Sequence, residues 1–83
     1  MSYEIQFKRS ALADLKSIGK KEAGRILLAI TEKLSKNPTE YEMLKGKFKG
    51  FRKLRVGDYR VVFSIIDERV LILKIGHRRD IYS

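Results

Sequence analysis

The sequence predicts an α+β domain. Its sheet is an antiparallel β-sheet of about four strands, made of an N-terminal strand and a C-terminal three-strand meander, with a two-helix hairpin packed on one face. Three observations point there. Apolar and polar residues alternate at both ends of the chain, apolar residues recur at helical spacing through its middle, and two tight-turn signals divide the last third. With 83 residues the chain fits one domain, 1–83, whose core is near the smallest that suffices without metals, disulfides or a partner.

Tyr3-Glu4-Ile5-Gln6-Phe7-Lys8 has period two, which suits a strand with Tyr3, Ile5 and Phe7 facing inward. Ser10 is placed to cap a short helix carrying Leu12, Leu15 and Ile18, and Gly19 to end it. A second helix starts near Lys20 or Lys21 with a stripe of Ala23, Ile26, Leu27, Ile30 and Leu34, and Asn37-Pro38 stops it. From Thr39 to Gly50 the pattern is irregular. Met43 and Leu44 are the expected core anchors there, and Lys45, Lys47 and Lys49 alternate with Gly46, Phe48 and Gly50.

Phe51 to Arg55 alternates toward a Val56-Gly57-Asp58 turn, Tyr59 to Ile66 runs to Asp67-Glu68-Arg69, and Val70 to Ile75 follows. One face of the middle strand carries Tyr59, Val61, Phe63 and Ile65, the other Arg60, Val62, Ser64 and Ile66. Both are largely apolar, so this strand is central. Periodicity alone does not say which face meets the helices. In a meander the ends of neighbouring strands meet, so Arg52, Lys53, Arg55, Arg60, His77, Arg78 and Arg79 can converge on one cationic patch.

The formal net charge is +9, from 19 basic and 10 acidic residues. Residues 1–44 hold 8 basic and 6 acidic residues, whereas residues 45–83 hold 11 and 4. Charge segregated in this way is the footprint of a polyanion-binding surface, although a solvated surface also carries lysine. Cysteine is absent, which excludes disulfides and thiolate chemistry. With one histidine and acids scattered singly, there is no serine triad, no zinc ligand set and no carboxylate cluster for a two-metal nuclease. No cofactor and no metal are expected. No apolar run approaches the roughly 20 residues of a membrane span, so no membrane association is expected and the expected location is the cytoplasm.

The chemistry left open is metal-free RNA cleavage, in which the ribose 2′-hydroxyl attacks the adjacent phosphate. Guanidinium groups suit bidentate phosphate contact and a dianionic transition state, but arginine is a poor base. The proton acceptor is then His77, Tyr82, Lys53 or solvent. Histidine alone among these has an ordinary pKa, about 6.5, in the physiological range.

Lys53-Leu54-Arg55-Val56-Gly57-Asp58-Tyr59-Arg60-Val61-Val62-Phe63, followed by Ile75-Gly76-His77-Arg78-Arg79-Asp80-Ile81-Tyr82, resembles the RelE toxins of the RelE/ParE superfamily. The resemblance implies a ribosome-dependent mRNA interferase, the toxin of a type II toxin–antitoxin pair, cutting mRNA in the ribosomal A site, with a RelB-like antitoxin as partner. By that resemblance Arg60, Lys53, Arg55, His77, Arg78 and Tyr82 form the catalytic set, with either Arg78 or Arg79 as the basic residue of the last segment. Lys45, Lys47, Lys49, Arg52 and Arg79 are the expected RNA contacts. Two other readings remain: a ParE-like toxin, which shares the fold but targets DNA gyrase, and a non-catalytic RNA- or DNA-binding module. Arg60 could also serve structurally, paired with Asp58 or Asp80.

Overall fold

Strand β1 (Glu4–Phe7) leads directly into helix α1 (Arg9–Ile18), and Gly19, at φ 98°, joins it to α2 (Lys20–Ala29). The structure, a computed structural model, describes residues 2–46 and 49–79. Helix α2 continues as a π-helical turn, Ile30–Leu34, and Pro38–Glu40 forms one turn of 3-10 helix. Three strands follow: β2 (Arg52–Val56), β3 (Tyr59–Ile66) and β4 (Arg69–His77).

The four-stranded sheet has the order β1-β4-β3-β2. The meander is antiparallel, but β1 runs parallel to β4, Ile5 opposite Val70 and Phe7 opposite Ile72, so the sheet is mixed. The path of the helices accounts for this. Ser10 and Asp14 of α1 bond to Leu73 and Ile75, so α1 continues in the direction of β1 along the far half of β4. Helix α2 returns, and Tyr3 N donates to Ser35 O at 2.7 Å, where β1 began. The chain therefore enters the meander at the starting end of β1, and the third of three alternating strands points the same way as β1.

The core lies between the helices and one sheet face. Ala11, Ile26, Ile30 and Leu34 pack on Leu54, Val56, Val61, Phe63, Val70, Ile72 and Ile75. The face of β3 that meets the helices is thus the one carrying Val61 and Phe63. The apolar stripes are narrower than the sequence suggests: Leu12 is 46% exposed and Leu27 40%, and Ala11 takes the inward place in α1. Replacing Phe63, fully buried at the centre of this layer, with alanine should cost about 3–5 kcal/mol. A urea unfolding curve reads this directly; a midpoint shift equivalent to under about 1 kcal/mol would contradict the packing described.

Two expectations from sequence need correction. Lys8, not Ser10, holds the N-cap position of α1, with extended backbone and no side-chain cap. Ser10 lies within the first turn, and its hydroxyl donates to Leu73 O at 3.0 Å, while Ile75 N donates to Asp14 Oδ2 at 2.9 Å. Strand β1 ends opposite Ile72, and these two side chains satisfy backbone groups of β4 beyond that point, next to a register shift between Val62 and Phe63. The segment before β2 is also more regular than expected. Met43 bridges antiparallel to Arg52, with Leu44 N donating to Phe51 O and Lys53 N to Glu42 O. Met43 anchors through its backbone, since its side chain is 48% exposed. Tyr41 packs edge-on against Phe63 instead, at a centroid distance of 6.3 Å.

Candidate nucleic-acid interface

The register decides which cations share a face. Successive strand residues alternate sides, so the rows Lys53–Val62–Lys74 and Arg55–Arg60–Gly76 lie opposite the helices. Arg52, opposite Phe63, lies on the helix side. Its Nη1 donates to Tyr41 O at 2.7 Å and Thr39 O at 3.2 Å, so it ties down the segment before β2. The sequence-expected cations are thereby divided: Lys53, Arg55 and Arg60 come together on the open face, and Arg52 is turned away from them.

Arg55 and Arg60 are direct cross-strand partners. Like charges in that position destabilise a sheet, by up to roughly 1 kcal/mol. Among the described residues no carboxylate pairs with either, and Arg60 makes no ion pair with Asp58. Asp80 lies outside the described residues. The Arg55 Nε donates weakly to Gly57 O at 3.4 Å. A fold that tolerates two opposed guanidinium groups without an acid has a cost to offset, and an anionic ligand would offset it.

Lys53, Arg55 and Arg60 line an open groove of about 340 Å³ together with Tyr41, Glu42 and Lys33. Lys53 Nζ is 3.5 Å from Glu42 Oε2, with the carboxylate 70% exposed. Among the described residues Glu42 supplies the one carboxylate lining this groove, and no sequence signal pointed to it. A single acid in an irregular stretch carries no periodic signal; its antiparallel pairing beside β2 puts it there.

Of the remaining expected residues, Lys45, Lys49, His77, Arg78 and Arg79 are described. Lys45 and Lys49 are exposed in the loop leading into β2, whose base is closed by the Leu44–Phe51 bond. Lys47 and Tyr82 lie outside the described residues. Arg78 and Arg79 are exposed after β4; Arg78 N donates to Asp58 O at 2.9 Å, which brings the last segment beside the β2–β3 turn and the Arg55–Arg60 end of the sheet.

His77 differs from expectation in position. It pairs with Tyr59 on the helix side, the rings edge to face at 5.7 Å. Its Nδ1 accepts from Arg79 N at 3.2 Å, an assignment that places the proton of neutral His77 on Nε2. In this arrangement Nε2 is a donor, suited to a phosphate oxygen or a leaving group rather than to accepting a proton. His77→Gln, which keeps a donor, should lower any RNA-cleaving activity less than about tenfold, short of the roughly 10²–10⁴-fold loss of a general base. Single-turnover rates check this, and a loss of about 10²-fold or more would contradict it.

Among the described residues no cluster of three or more His, Asp or Glu could hold a metal ion, and no helix is long and apolar enough to cross a membrane.

Comparison with known proteins bears on the family and the fold. A family model described as the ParE toxin of the type II toxin–antitoxin system parDE matches residues 5–82. The chain is similar to the mRNA interferase toxin RelE of Escherichia coli K12, 28% identical over 88 residues that cover 100% of this chain and 93% of that protein. Among solved structures it is similar to the toxin–antitoxin complex RelBE2 of Mycobacterium tuberculosis, with a TM-score of 0.87, 28% identity and coverage of 96% and 95% of the two chains. It also resembles the RelB–RelE complex of Methanococcus jannaschii, with a TM-score of 0.69, 25% identity and coverage of 93% and 94%. A family match over nearly the whole length, on a fold shared with toxins solved beside their antitoxins, establishes that this chain belongs to the ParE toxin family of type II toxin–antitoxin systems.

Proposed function

We propose that this toxin is a ribosome-dependent mRNA interferase that cuts mRNA in the ribosomal A site by metal-free attack of the ribose 2′-hydroxyl. The observation that carries the reading is the opposed Arg55–Arg60 pair, on the sheet face away from the helices, in one groove with Lys53 and Glu42. In the proposed reaction Glu42 takes the 2′-hydroxyl proton, the 2′-oxygen bonds to phosphorus, and the 5′-oxygen leaves as a 2′,3′-cyclic phosphate forms. Arg55, Arg60 and Lys53 stabilise the extra negative charge at phosphorus, each such contact supplying roughly 2.7–4 kcal/mol. Arg78, at the same end of the sheet, is a further phosphate ligand. Tyr82 stacks on a base or donates its phenolic proton to the leaving 5′-oxygen; where it only stacks, solvent water supplies the proton that makes the 5′-hydroxyl. Lys45, Lys47, Lys49 and Arg79 extend the contact to neighbouring phosphates.

The partner in this reading is a RelB-like antitoxin, by likeness to the RelB–RelE complex above; on this chain it would lay an acidic amphipathic segment over the cationic face. A second reading has specific support, because the matching family model is named for ParE. Action on DNA gyrase and cleavage of mRNA separate in one experiment. A defined message is translated in a cell-free system with and without the protein, while gyrase supercoiling is followed in parallel. Truncated message with unchanged supercoiling supports the interferase; intact message with inhibited supercoiling supports the gyrase target.

A further inference from the structure

The cationic groove does not end at the edge of the sheet. Arg55 and Lys33 line it and also line a second open groove, of about 320 Å³, between β2 and α2, where Arg25 and Gly57 join them. Two guanidinium groups converge on Gly57. Arg55 Nε donates to Gly57 O at 3.4 Å, and Arg25 Nη2 lies 3.6 Å from the place a Cβ on Gly57 would occupy. Gly57, at φ 60°, turns the chain in the left-handed region, and the Arg25 guanidinium lies in van der Waals reach of that turn. Arg25 has one acidic partner, Glu22, at 3.6 Å on the exposed side of the helix, a pair of little energetic weight. Lys33 sits on the π-helical turn and its side chain has no hydrogen bond or ion pair among the described residues. Single π turns are frequent at functional sites, and this one presents its lysine to both grooves.

We propose that Arg25 and Lys33 form a phosphate subsite for the RNA strand outside the cleaved bond, with Arg55 shared between it and the catalytic groove. The inference rests on the reading that the ligand is RNA. Three cations face one acid, Glu32, in this groove, and guanidinium pairs prefer the bidentate geometry of a phosphodiester. Continuity with the groove of Arg60 favours the substrate strand as the occupant. An acidic protein segment is the competing occupant.

The test is salt-dependent binding of a labelled single-stranded RNA to the full chain. Arg25→Gln/Lys33→Gln is compared with Lys20→Gln/Lys21→Gln, which removes the same charge from the start of α2, away from the groove. The groove variant should bind about tenfold more weakly near 0.1 M salt, with a slope of log K against log salt smaller by about 1.4, because each phosphate contact contributes about 0.7. The control should change neither by a comparable amount. Lys33→Gln alone, expected to lose about half that slope, decides the matter if the double variant loses its circular-dichroism signature. Equal slopes for groove variant and control overturn the subsite while leaving the interferase reading in place. A groove variant that keeps RNA affinity but loses an antitoxin assigns the groove to protein and also overturns it. Wild-type protein that shows no salt-dependent RNA binding also overturns the subsite, while the interferase reading stands or falls on cleavage of message on programmed ribosomes.

Discussion

Arg60→Ala should lower ribosome-dependent cleavage about 10²–10³-fold, the loss expected when one preorganised charge is removed from a developing oxyanion. The same change should leave the fold as stable as before, or more stable by up to about 1 kcal/mol. Arg60 has no acidic partner among the described residues to be left unpaired, and its removal relieves repulsion from Arg55 directly across the ladder. The combination is diagnostic. An arginine pinning the turn would destabilise the protein on removal, so a lower unfolding midpoint with cleavage at the wild-type rate would return Arg60 to a structural role. Circular-dichroism melting beside single-turnover cleavage reads both quantities.

Glu42→Gln should lower cleavage by about 10²-fold or more, because the substitution keeps shape and removes the proton acceptor. Little stability should go with it. Its contact with Lys53 is long and on an exposed carboxylate, and such pairs contribute at most about 1 kcal/mol. A variant that cleaves at the wild-type rate would place the acceptor elsewhere, with Tyr82 next in line. Antitoxin binding by the same variant should be retained, which separates loss of chemistry from loss of the surface.

The sequence was most legible where pattern and chemistry coincide. The turn at Gly57 and Asp58 placed Arg55 and Arg60 at one end of a hairpin, and the hairpin puts them opposite each other. Lys53 and Arg52 show the limit. They are adjacent, and a shift of one residue exchanges the faces of a strand, so only the pairing of Arg52 with Phe63 shows that one meets the helices and the other the groove. Glu42 was illegible for a related reason: its position depends on a two-residue backbone pairing to β2 that leaves no alternation to read. The direction of β1 follows from where α2 ends, a tertiary fact, as does the exchange of Leu12 for Ala11 on the inner side of α1. His77 stood out as the only histidine, yet the Arg79 amide on its Nδ1 decides what it can do, and that bond is not a property of composition.

The most direct test of the central claim uses purified ribosomes programmed with a message whose A-site codon carries a single 2′-deoxy or 2′-O-methyl nucleotide at the cleaved position. The account predicts that the all-ribose message is cut there, leaving a 2′,3′-cyclic phosphate and a 5′-hydroxyl, and that the modified message stays intact at that bond. Cleavage of the 2′-modified message at the same position, or a product ending in 5′-phosphate, would contradict attack by the ribose hydroxyl on this cationic face.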